Sequence, residues 1–135
     1  MADKLHFELV SPEKLLMSTD VDMVVVPGVD GDFGVLINHA PVVSTLRTGI
    51  LEVHNGETPE KILVVSGFAE VNPDGLTVLA EEAIHLADVD RAVLEADLKN
   101  AEEDVADAKD EAHLAKANKA RDRLIDILGV LDLAA

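Results

Sequence analysis

Hydrophobic and polar positions alternate in short runs over roughly the first 85 residues, and then the period changes. LHFELV, KLLMS, VDMVVV, FGVLI, VVSTLRTG, ILEVH, KILVV, GFAEV and LTVLAE each read as a strand. The segments SPE, PGVDGD, NHAP, HNGETPE and NPDG between them are made of turn-forming residues. Asn55-Gly56 and Asp74-Gly75 are the clearest hairpin signals, because those pairs accept the positive φ angles that tight turns need. About eight to ten short strands at this spacing predict an antiparallel sheet closed on itself as a sandwich or flattened barrel.

From Leu76 to Leu128 the chain has neither glycine nor proline and is rich in Ala, Leu, Glu, Asp and Lys, which predicts helix. Asp88 reads as the N-cap. An apolar stripe runs through Leu94, Leu98, Ala101, Val105, Ala108, Ala112 and Ala115. A second stripe, out of phase, runs through Leu114, Ala117, Leu124, Leu128 and Leu131. The slip falls near Lys109-Asp110-Glu111 and allows one stuttering helix or two helices in a hairpin. Charge favours the hairpin, since residues 88–111 carry −7 and residues 113–135 carry +1. The predicted fold is α+β, with a β-sandwich over residues 1–87 and a two-helix hairpin over 88–135. The first helix has an alanine-heavy stripe that buries little area, so it packs weakly and suits a regulatory appendage.

A formal charge of −16 argues against nucleic-acid partners, which select for basic faces. Three phenylalanines and no Trp or Tyr leave no base-stacking platform. Without cysteine there is no disulfide and no thiolate nucleophile, and the five histidines show no metal-binding spacing. No secretory signal or membrane-length apolar run is visible, so the expectation is a soluble intracellular protein.

Asp32-Phe33-Gly34 spells the magnesium-loop triplet of protein kinases, but no GxGxxG or HRDxxxxN accompanies it in 135 residues. Gly28, Gly31 and Gly34, with Asp30 and Asp32, instead predict a loop tip. Phe33 beside that tip either folds back into the core or joins a contact surface.

VPGVDGDFGVLINHAPVVSTLRTGIL, followed by VVSGFAEVNPDGLTVLAEEA, resembles the epsilon-subunit family of bacterial F-type ATP synthases, equivalent to the mitochondrial delta subunit. The likeness spans about residues 5–85 and is carried by the PGxxGxxG turn, His39-Ala40-Pro41, Leu46 with Gly49, SGFAEV and TVLAE. It implies a β-sandwich with two C-terminal helices and no active site or cofactor of its own. The implied place is the foot of the rotor stalk, on the cytoplasmic face of the inner membrane, bound to the gamma subunit and resting on the c-subunit ring. Asp32 and Phe33 then face the ring, and His39 lies toward gamma or is simply a turn histidine bonded to local backbone. Lys116, Lys119, Arg121 and Arg123 face either the alpha and beta catalytic subunits or the acidic first helix. Some members bind ATP as a regulatory ligand through an aliphatic residue, Asp, two variable residues and Arg-Ala. Ala87-Asp88-Val89-Asp90-Arg91-Ala92 matches at Asp88, Arg91 and Ala92 but has Ala87 in the aliphatic position. A further basic position is replaced by Leu98, with Lys99 beside it. The alternative function is a nucleotide-sensing module built on Asp88 and Arg91.

Overall fold

A computed structural model describes residues 3–134. The chain divides into two compact units, Met1–Asp88 and Val89–Ala135. The first contains eight strands: β1 (Leu5–Val10), β2 (Leu15–Val21), β3 (Met23–Gly28), β4 (Gly31–Val35), β5 (Val42–Leu46), β6 (Gly49–His54), β7 (Glu60–Asn72) and β8 (Gly75–His85). KILVV and GFAEV, separate in the sequence reading, are the two halves of β7. Residues 60–64 pair with β6 and residues 67–71 with β5, while β8 follows β7 along nearly its whole length. One long strand can therefore serve two neighbours, which bends the sheet around its own core.

Hydrogen bonding runs β2-β1-β8-β7-β5-β3-β4, with β6 bridging β3 and β7. All pairings but one are antiparallel, as expected; β1 and β8 run parallel. No hairpin joins β1 to β8, so the chain has ample length to return in either direction. The strict alternation of β1 turns Leu5, Phe7 and Leu9 inward, and β6 does the same with Leu51 and Val53. They meet Val24, Val26, Ile62, Val64, Leu76 and Val78 in one apolar cluster. Asn72 accepts from the backbone N–H groups of Asp74 and Gly75 and closes the β7–β8 turn. The Asn55-Gly56 signal lies in a longer link, residues 55–59.

After a 3₁₀ turn at Leu86–Asp88 come α1 (Arg91–Asp107) and α2 (Glu111–Ala134). Their antiparallel arrangement bears out the hairpin: Arg91, in the first turn of α1, bonds Asp132, near the end of α2. Ala108 takes an extended conformation and ends α1, and Asp110 accepts from the His113 N–H at 2.8 Å to begin α2. The N-cap of α1 is Asp90, correcting the assignment to Asp88. Its side chain reaches the N–H groups of Ala92 and Val93, whereas Asp88 closes the preceding 3₁₀ turn. Leu94, Leu98, Ala101 and Val105 form the inward face of α1 and Ala108 caps its end, as the stripe predicted. The last members of the stripe, Ala112 and Ala115, fall on α2 and are exposed, because the chain turns between them. On α2, Leu114 is exposed, and Ile127, absent from the predicted stripe, is the most deeply buried residue.

Candidate partner-binding surface

β3 and β4 form a hairpin whose two-residue link is Val29-Asp30. Asp32 is thus not at the tip. It lies within β4 opposite Pro27, one pair in from the turn, and this corrects the loop-tip reading. Its carboxylate does not bond the local backbone. Oδ1 accepts from Arg47 Nη2 at 2.6 Å, and Arg47 Nη1 donates to the Gly28 carbonyl at 2.7 Å. The Arg47 backbone N–H donates to Pro27 O at 3.1 Å, and Val29 N–H donates to Thr45 O at 3.0 Å. The turn after β5 therefore grips the turn end of the hairpin through both backbone and side chain. Nothing in the sequence marks Arg47 as the partner of a residue fifteen positions away.

Phe33 is partly buried and packs on the sandwich core, so of its two predicted places the structure favours the core. Gly28 makes room for it: a Cβ there would stand 3.1 Å from Phe33 Cε1. The ring's other neighbour is His39, with centroids 6.4 Å apart and planes tilted by 36°. His39 donates from Nδ1 to the Ala40 carbonyl at 2.7 Å, and its own N–H donates to Leu36 O. The bond to a carbonyl assigns the proton of the neutral ring to Nδ1. Phe33 and His39 thus stand side by side, while Asp32, the preceding residue of β4, turns to the opposite face, where it meets Arg47, the member the sequence did not disclose.

A second feature lies on the outer face of the sheet. Thr45, Phe68, Leu79, Val10 and Leu15 are successive cross-strand partners from β5 to β2. Phe68 is 53% exposed, Leu79 43% and Leu15 54%, and Val43, two residues along β5 from Thr45, is 69% exposed. A groove of about 270 Å³ runs beside Phe68 and Leu79, with Pro12, Thr45 and Ser66 on its walls. Phe68, Leu79, Val10 and Leu15 line up across four strands as one apolar patch rather than as scattered exposure. The sequence held a signal for it: in GFAEV, Ala69 and Val71 point inward, which turns Phe68 outward.

Arg91 is already engaged. It bonds Glu95 at 3.1 Å and also Asp132, and these two contacts, Asp132 first, raise its pKa above the ordinary value. Asp88 is exposed in its 3₁₀ turn, Leu98 sits on the inward face of α1, and Lys99 is exposed. Among the described residues no cluster of His, Asp or Glu is placed to hold a metal ion. No described helix is long and apolar enough to cross a membrane.

The fold is a β-sandwich followed by a helical hairpin, with an apolar outer stripe and an Arg-clamped β3–β4 hairpin on the sandwich. Residues 4–86 match the family model of the ATP synthase delta/epsilon chain β-sandwich domain. The chain belongs to that family. It is 52% identical over 128 residues to the ATP synthase epsilon chain of Parvibaculum lavamentivorans, covering 94% of this chain and 97% of the relative. It is 56% identical over 111 residues to that of Maricaulis maris, covering 82% and 84%. A chain in the structure of the Euglena gracilis mitochondrial ATP synthase OSCP/F1/c-ring assembly aligns with a TM-score of 0.76 at 26% identity, over 99% of this chain and 82% of that one.

Proposed function

We propose that this chain is a non-catalytic subunit of the central stalk of an F-type ATP synthase, joining the gamma subunit to the c-subunit ring so that proton flow turns the stalk. Family membership makes it a subunit of the synthase; the roles of its surfaces are our reading. The single observation that carries the reading is the apolar row Phe68–Leu79–Val10–Leu15, with Val43 beside it. Such a row in a chain of charge −16 is suited to burial against a partner rather than to permanent contact with water. Gamma is its proposed occupant, and His39, four residues before Val43 in the chain, is assigned to the same partner. The Asp32 hairpin, polar and clamped, faces the ring. The complex holds the chain peripherally at the cytoplasmic face of the inner membrane.

The helical hairpin regulates ATP hydrolysis in this reading, because it is a separate compact unit whose α1 contributes only Ala101 to the fully buried set. Contact with the catalytic subunits falls to the basic residues of α2.

Replacing Phe68 by lysine and Leu79 by glutamate, opposite charges on directly paired residues, tests the docking face. Both side chains are exposed, so the isolated double variant folds and melts close to the parent. Co-purification with a tagged gamma subunit from detergent-solubilised membranes is expected to fail. Undiminished recovery of gamma with a folded variant would remove this face from the interface.

A further inference from the structure

We propose that Arg47 is the positioning residue of the ring-facing hairpin: its guanidinium holds β4 against the body of the sandwich in the form that the c-ring receives. The proposal rests on the reading of the Asp32 hairpin as the ring-facing element and adds the residue that sets its geometry.

β4 stands at the end of the strand order and pairs only with β3 among the described strands. β3 is flanked on both sides, by β4 and by β5 and β6, whereas β4 is held on one side only. The hairpin has glycine at 28, 31 and 34, so its own backbone resists bending little. Its turn end is held by Val29 N–H to Thr45 O and Arg47 N–H to Pro27 O, both of which act on β3 and the link. The β4 side is reached by the Arg47 side chain, which spans from the Gly28 carbonyl to the Asp32 carboxylate. One planar group therefore ties the two strands of the ribbon to the β5–β6 turn at a fixed separation.

The chemistry selects arginine. Two nitrogens of one rigid fork meet two acceptors on different strands, whereas a lysine ammonium is a point charge on a flexible stem and does not reproduce the fork. Pairing also decides which charge the hairpin shows outward. Asp32 is matched by Arg47, whose guanidinium meets Asp32 and the Gly28 carbonyl rather than Asp30 at the tip. A partner thus meets a neutral, oriented Arg–Asp pair behind an acidic tip. The side chains of Arg47 and Asp32 remain 45% and 56% exposed, so the pair is open to contact and not sealed in the core.

The test uses the whole synthase in inverted membrane vesicles, comparing ATP-driven proton pumping with ATP hydrolysis in the same preparation. Arg47→Gln is expected to lower pumping at unchanged hydrolysis and unchanged content of this subunit in the complex. Arg47→Lys keeps the charge and is expected to recover part of the pumping. Asp32→Asn combined with Arg47→Gln is expected to be no worse than the stronger single change, because both act on one link. If Arg47→Gln pumps like the parent while Asp32→Lys uncouples, the positioning role falls and the ring-facing hairpin stands. If Asp32→Lys also leaves coupling unchanged, the hairpin reading itself falls. If Arg47→Gln and Arg47→Lys both drop out of the complex, Arg47 is needed for assembly alone and the proposal is overturned.

Discussion

Gly67 passes so close to Leu79 on the neighbouring strand that a Cβ at Gly67 would stand 2.0 Å from the Leu79 carbonyl oxygen. This is where β7 exchanges β6 for β5, and the exchange is made with Ser66 at φ 41° and Gly67 at φ 144°. The next residue, Phe68, pairs with Leu79 and faces outward in the apolar row. Gly67→Ala meets two penalties at once, strained backbone of about 1–3 kcal/mol and overpacking of about 1–3 kcal/mol. Urea unfolding is expected to show a lower midpoint at an unchanged slope. A midpoint equal to the parent's would mean that the close approach is not maintained in solution.

A chain ending at Asp88 is expected to fold by itself. The buried cluster of the sandwich draws on residues between Leu5 and Ala80 and includes none from the helices. Thermal unfolding followed by circular dichroism is expected to be cooperative, starting from a strand-type spectrum. A broad, non-cooperative melt with dye-binding apolar surface would show that the helices complete the core.

His6 gives the sandwich a pH dependence of known sign. It faces its cross-strand partner Asp20 at 2.9 Å, with Glu8 at 3.7 Å. The bond to Asp20 is the largest influence and raises the imidazole above its ordinary value of 6.5. The folded form therefore holds the proton more tightly than the unfolded chain. This contribution is fully present below about pH 6.5 and is lost as pH rises through the raised value. His6→Gln is expected to flatten the fall in melting temperature between about pH 6 and pH 8. A parent and variant with parallel pH profiles would place the effect elsewhere.

Asp110 behaves in the opposite sense. The His113 backbone N–H, followed by its ring, lowers the Asp110 carboxyl below its ordinary value. The start of α2 is thus stabilised above the usual carboxylate range, and this support is lost as pH falls through the lowered value. Acid titration of a chain with Asp110→Asn is expected to lose helical signal with a shallower dependence than the parent, because asparagine still caps but does not titrate. Identical acid limbs would rule out Asp110 as the titrating cap.

With Arg91 bonded to Asp132 and Glu95, a nucleotide phosphate must displace two carboxylates to reach it. Calorimetry of the isolated chain with ATP is expected to give no saturable heat. Saturable binding, strengthened by Asp132→Asn, would restore the nucleotide-sensing alternative and make the Arg91–Asp132 contact its competitor.

Period, breakers and turn chemistry are local properties, so the division into sheet and helix was legible along the chain alone. The inward faces of β1 and α1 follow from alternation and from the 3–4 stripe. The place of the helix break follows from the slip in phase near Asp110. Even nearby, two aspartates two residues apart offered equivalent caps, and the path of the 3₁₀ turn chose Asp90 over Asp88. Other features arise from long-range packing. The partner of Asp32, the parallel return of β1 beside β8 and the row from Phe68 to Leu15 each join residues whose separation carries no periodic signal. Strand register is set when one shared core is filled, and a side chain such as Arg47 acquires its acceptors only after that packing has brought two distant turns together.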